Sequence, residues 1–123
     1  TAVARLYGYD YDIIHSSKDL TNEIESMITS AEIPYKRGIH WTTDAGYRET
    51  WGQVMDYRDK GALCVEMEGV GLFTIANYRK CVATGIYVVS DVYSENDWKL
   101  GWEGNDIKRA VGAVIDMIIE SIR

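Results

Sequence analysis

CVEMEGVG, residues 64–71, sets two carboxylates, Glu66 and Glu68, on either side of Met67, where an apolar run passes into a glycine-containing one. A buried charge is costly unless something pairs with it. Two acids at such a seam therefore call for an explanation. ALCVEM (62–67) reads as a short strand. Val70, Phe73 and Ala76 mark one face of a helix that begins near Glu68 or Gly69. The octapeptide is then a strand-to-helix corner, and the elements on either side can be placed around it.

Upstream, DYDIIH (10–15) reads as a short strand. Ser16-Ser17 offers a helix N-cap, with Asp19 three residues after Ser16 as a capping-box acid. Leu20, Ile24, Met27, Ile28 and Ala31 then recur at helical spacing, predicting an amphipathic helix over 18–32 that Ile33-Pro34 ends. Residues 35–43 look extended and run into TTD (42–44). AGYRETWG (45–52) is polar and glycine-marked, hence a loop, and 53–60 can form a short helix stopped by Gly61.

Downstream, CVATGIYVVS (81–90) is a nearly continuous β-branched run of the kind that suits a strand covered on both faces. It ends at Ser90-Asp91, and a polar, aromatic loop follows over 92–106. Residues 107–122 form an amphipathic helix with Ala110, Val111, Val114, Ile115, Ile118, Ile119 and Ile122 inward and Asn105 or Asp106 as its cap. The alternation of strands and helices predicts an α/β fold, layered α-β-α about a mixed central sheet. The opening residues, TAVARLYGYDYD, show no capped first element, as though the chain were entered in mid-domain.

Bulk properties narrow the function. With 123 residues the chain is one domain or part of one. Its net charge of −6, without any cluster of Lys and Arg, argues against nucleic acid as a partner. No apolar run approaches the ~18 residues of a membrane span, and no basic-then-apolar leader is seen, so the expected location is cytoplasmic. Cys64 and Cys81 lie in apolar surroundings and read as reduced core thiols. With His15 and His40 the only histidines and no C-x-x-C pair, a structural zinc site is not expected. No acidic spacing demands Mg²⁺.

In open α/β sheets, ligands bind outside the carboxyl ends of the strands. Three predicted strands end in polar residues, which would gather Asp44, Glu66, Glu68 and Asp91 at one rim. Each has an ordinary structural use as well: Asp44 as a turn cap, Glu68 as a complement to the first turn of a helix, Asp91 as a solvated loop residue. Together, and without Lys or Arg partners, they suit a polyhydroxylated ligand such as a sugar. A carboxylate accepts vicinal hydroxyls, and its charge stabilises an oxocarbenium-like centre.

VEMEGVGLFTIA (65–76), followed by VVSDV (88–92), resembles the nucleoside phosphorylase and nucleosidase superfamily, and GIHWTTDAGYRET (38–50) is similar to the segment that precedes its V-E-M-E motif. That group includes hexameric purine nucleoside phosphorylases, uridine phosphorylases, and methylthioadenosine/S-adenosylhomocysteine nucleosidases. The resemblance implies a cytoplasmic homo-oligomeric enzyme that cleaves the N-glycosidic bond of a purine or uridine-type nucleoside with phosphate as co-substrate and with no cofactor. Its alternatives are a hydrolytic nucleosidase, or a non-catalytic fragment or subunit that keeps the fold. It implies that Glu68 binds the ribose 2′ and 3′ hydroxyls, that Met67 packs against the sugar, and that Glu66 lies near the base or behind the site. It also implies that Asp91 protonates or hydrogen-bonds the base as the bond breaks, oriented by Ser90. Where the family carries a base-stacking aromatic, this chain has Ala45-Gly46-Tyr47, so Tyr47 or Trp51 takes that part, and Arg48 follows as a further substrate contact. The family's N-terminal half, with its glycine-rich phosphate loop and phosphate-binding Arg residues, has no counterpart here. Residues 1–123 are thus expected to be the C-terminal part of a single domain of this type.

Overall fold

The computed structural model describes residues 2–10, 13–94, 97–100 and 104–123, with 97–100 described through their backbone. The chain falls into two compact units. The first comprises Thr1–Thr21 with Lys36–Gly85, the second Asn22–Tyr35 with Ile86–Arg123. The fold is α/β, as the element alternation predicts. Among the described residues, no helix is long and apolar enough to cross a membrane.

In the first unit, β1 (Ile39–Thr42) and β2 (Ala62–Glu66) pair in parallel, with His40 opposite Cys64, Trp41 opposite Val65 and Thr42 opposite Glu66. Parallel strands cannot be joined by a tight turn, so the chain between them makes a crossover. It runs through a single 3₁₀ turn (Gly46–Arg48) and α3 (Trp51–Asp59). Trp41 stacks on Tyr57 of α3 at 4.2 Å between ring centroids and 12° between planes, which seats the crossover on the strand pair. The polar stretch 45–52 is therefore partly helical. Thr50 and Gln53 form a reciprocal capping box in which the Thr50 hydroxyl accepts from Gln53 N–H and the Gln53 side chain accepts from Thr50 N–H. That box starts α3 two residues before the predicted position. Gly61, at φ +89°, ends the turn beyond α3, a conformation that favours glycine.

After β2 comes α4 (Gly69–Arg79), which buries Phe73 and Thr74 and contacts α1 (Ala2–Leu6), Ala4 being buried as well. Tyr7, just past α1, meets Tyr78 edge-on at 5.0 Å. α2 (Lys18–Ser30) begins in this unit. Its cap is Ser17, whose Oγ accepts from Leu20 N–H, while the Ser16 hydroxyl is spent on Thr21; Asp19 falls at the second helical position, not the third that a capping box needs. The predicted strand at 10–15 forms no ladder over its described residues, and residues 11–12 lie outside them.

The second unit holds the rest of α2, the hairpin β3 (Asp91–Ser94) and β4 (Asp97–Leu100), and α5 (Asn105–Ile122). The hairpin is antiparallel, with Asp91 opposite Leu100 and Ser94 opposite Asp97. Two predictions are corrected here. First, residues 81–90 form no strand: their backbone contacts include Ser17 N–H on the Ala83 carbonyl, but Val82 and Val89 are exposed and no ladder partner flanks them among the described residues. Second, the polar stretch expected to be loop over 92–106 contains most of the hairpin. The amphipathic helix at the C-terminus is present, but only Met117 is buried along it. Val111, Ile115, Ile119 and Ile122, expected inward, are exposed. Its N-cap is Gly104 rather than Asn105 or Asp106, and no side chain bonds there.

Two helices close without glycine. At the end of α2, Ile33 N–H reaches the Ile28 carbonyl and Glu32 N–H the Thr29 carbonyl; at the end of α4, Cys81 N–H reaches Ala76 and Lys80 N–H reaches Asn77. These are Schellman closures, and they put Glu32 (φ +54°) and Lys80 (φ +57°) in the left-handed region.

Candidate functional site

The parallel register puts the carboxyl ends of β1 and β2 side by side, and Thr43 N–H donates to the Glu66 carbonyl at 2.8 Å to hold them there. Side chains alternate along a strand, so His40 and Thr42 share a face, as do Cys64 and Glu66. Glu66 collects the polar groups of that face. Its Oε1 accepts from the Thr42 hydroxyl and from His40 Nδ1 (2.8 Å). Its Oε2 accepts from the backbone N–H groups of Glu68 (2.7 Å) and Gly69.

Four donors fill the acceptor positions of one carboxylate. The two amides belong to the start of α4, where N–H groups have no helical partner and where negative charge is favoured by the helix dipole. Thr42 completes the arrangement, its oxygen accepting from Val70 N–H at 3.1 Å while its hydrogen goes to Glu66. The Glu66 side chain is 7% exposed. Burial alone pushes its carboxyl up, but the donors from Thr42, Gly69, Glu68 and His40 together outweigh this and hold it below the usual carboxylate range. An ionised Glu66 can only accept, so His40 carries its proton on Nδ1. The His40 ring also meets Phe73 edge-on at 5.9 Å. Cys64, on the same face, has its thiol pushed up by burial first and by the Glu66 charge second.

Glu66 therefore organises the corner and has no acceptor left over. Glu68 differs sharply from it. As the N-cap residue of α4 it is exposed, and its Oε2 accepts from Met67 N–H at 3.1 Å, the one hydrogen bond its side chain makes among the described residues. Met67 is exposed beside it. The two acids of the opening motif thus divide the work, one inward and saturated, one outward and available.

The remaining predicted site residues stand as follows. Asp44 lies just past β1 and accepts from Ala2 N–H at 3.1 Å. Tyr47 and Arg48 sit in the 3₁₀ turn that follows, both exposed, with Tyr47 almost wholly so. Ser90 and Asp91 belong to the second unit, where Asp91 opens β3 instead of closing a strand at 81–90. The Ser90 hydroxyl donates to Asp91 Oδ2 at 2.6 Å, and Asp91 Oδ1 is buried with no hydrogen-bond partner among the described residues. A buried acceptor left unpaired is costly, so Asp91 is set to receive a hydrogen from outside the pair. His40 and Thr42 were missed as site residues by sequence reasoning. Their signal was the alternation H-W-T in IHWT, which becomes legible only once the register sets Thr42 opposite Glu66.

Residues 6–120 match the family described as the phosphorylase superfamily. Two curated relatives are purine nucleoside phosphorylases of the DeoD type, from an Exiguobacterium species and from Exiguobacterium sibiricum. Each is 33% identical over 87 residues, which is 71% of this chain. The aligned part amounts to 36% of the first relative and 37% of the second, so the chain spans little more than a third of either. No solved structure matches the chain significantly.

Proposed function

The chain belongs to the phosphorylase superfamily, and on that footing we propose that it carries the sugar- and base-handling part of a nucleoside phosphorylase acting on a purine ribonucleoside. In this reaction phosphate attacks C1′ of the ribose, the C1′–O bond to phosphate forms, and the C1′–N bond to the base breaks. The electron pair of that bond leaves with the base, which takes up a proton. The products are ribose 1-phosphate and free base. The choice of a purine rests on the names of the relatives from Exiguobacterium.

The observation that carries the reading is the division between Glu66 and Glu68. A corner at the carboxyl ends of two parallel strands spends one buried carboxylate on its own backbone and presents the next one to solvent. Glu68 accepts the 2′ and 3′ hydroxyls of the ribose, a pairing that fixes the sugar and strengthens as positive charge grows at C1′. Met67 lies against the sugar. Asp91, oriented by Ser90, supplies in its protonated form the hydrogen bond or proton that the departing base needs, carried on Oδ1, the oxygen without a partner among the described residues. Tyr47 and Arg48, exposed past β1, contact the base.

The experiment is release of free base from inosine, followed with and without phosphate. Phosphate-dependent release with ribose 1-phosphate as co-product is expected. Release at the same rate in phosphate-free buffer, with ribose as co-product, would instead make the protein a hydrolase.

A further inference from the structure

Thr42 touches neither Glu68 nor Met67, yet it bonds to the groups on either side of them. Its hydrogen goes to Glu66 Oε1 and its oxygen receives Val70 N–H, so one hydroxyl ties β1 both to the carboxylate and to the first turn of α4. His40, two residues earlier on the same face, grips the same carboxylate oxygen. With Oε1 held by β1, Oε2 is aimed at the amides of Glu68 and Gly69. The backbone between these contacts carries Met67 and Glu68. Thr43 N–H on the Glu66 carbonyl adds a main-chain tie between the same strand ends.

We propose that Thr42, seconded by His40, is a positioning residue for ribose recognition: it fixes the Glu66 carboxylate against the opening amides of α4 and thereby sets the backbone on which Glu68 is mounted. The inference rests on the ribose role given to Glu68 above. It goes beyond that role in making discrimination for the sugar hydroxyls depend on β1, a strand that contributes no ligand contact of its own. A hydroxyl is required here because one group must donate and accept at once, which serine can also do and valine cannot.

The test measures binding of inosine and of 2′,3′-dideoxyinosine by calorimetry to the unchanged chain, Thr42→Val and Thr42→Ser, together with amide exchange at Glu68, Gly69 and Val70. Removing a donor from a buried charged acceptor weakens what depends on it by about tenfold or more. Thr42→Val is expected to lose about tenfold or more in inosine affinity and to speed exchange at the three amides. Its affinity for the dideoxy compound, which gives Glu68 nothing to hold, should stay within about twofold. Thr42→Ser should restore both readouts.

Should Thr42→Val not fold, His40→Phe keeps a ring against Phe73 while removing the second donor, and the same selectivity is expected of it. Inosine affinity unchanged in Thr42→Val, or an equal loss for both ligands, overturns the inference and leaves the functional reading standing. An unchanged chain that binds neither nucleoside overturns both.

Discussion

Glu66→Gln separates charge from shape at the corner. The amide oxygen can still accept from Glu68 and Gly69, but as a neutral acceptor it keeps about half the strength of each charge-assisted bond. The amide nitrogen then faces the Thr42 hydroxyl, which can rotate to accept, and His40 Nδ1–H, which must change tautomer or lose its partner. With the side chain only 7% exposed, water offers little replacement. Summing two weakened bonds and one lost or mismatched one gives a destabilisation of about 2–4 kcal/mol. In urea, with a slope of about 1.5 kcal/mol per molar, the midpoint should fall by roughly 1–3 M near pH 7.

The pH dependence fixes the cause. Burial raises the Glu66 carboxyl, and the four donors more than reverse it, so the folded value lies below the unfolded one. Stability from this group is therefore fully present above the ordinary carboxylate value of 4.5 and is lost as pH falls through the depressed folded value. The gap between the two proteins should close on acidification through that window. Equal midpoints near neutrality, or a gap that persists unchanged down to about pH 2, would refute the claim that an ionised Glu66 organises the corner.

Three further outcomes follow from the same geometry. Gly61→Ala meets no atom within 4 Å, so its cost is that of a left-handed backbone alone, about 1 kcal/mol, readable as a lowered thermal midpoint. Lys80→Gly relieves the same kind of strain at the end of α4 and should raise the midpoint by up to about 1 kcal/mol of stability; a fall would mean that the lysine side chain does more than close the helix. With a disulfide reagent near neutral pH, exposed Cys81 should react first and Cys64 slowly, since burial and the Glu66 charge hold its thiol up; Glu66→Gln should quicken Cys64 and leave Cys81 as it was.

The sequence made the corner legible because V-E-M-E-G joins a strand pattern to a helix pattern at a fixed point. β2, α4 and the approach of β1 follow from periodicity and turn residues alone. What could not be read is whatever depends on a neighbour. His40 and Thr42 matter only through the register that sets them beside Glu66, and a single strand carries no record of its register. Residues 81–90 have the β-branched composition of a covered strand, but composition reports fitness for a ladder and not the presence of one. Likewise α5 shows the expected helical period, yet Val111, Ile115 and Ile119 are exposed, since amphipathicity identifies a face without identifying what covers it. The Thr50–Gln53 box was present in T-W-G-Q, one of the sequence signatures of a helix start, and was masked by the polar and glycine-marked residues around it.

Glu68 is the exposed partner of a buried, self-satisfied Glu66, and we propose that it holds a ribose. Calorimetric titration of Glu68→Ala with inosine, paired with its urea midpoint, tests this most directly. The side chain is exposed and bonded only to its neighbour's amide, so stability should stay within about 0.5 kcal/mol of the unchanged protein. Inosine affinity should drop by about tenfold or more. Undiminished affinity for inosine in a folded Glu68→Ala protein would show that Glu68 does not hold the ribose.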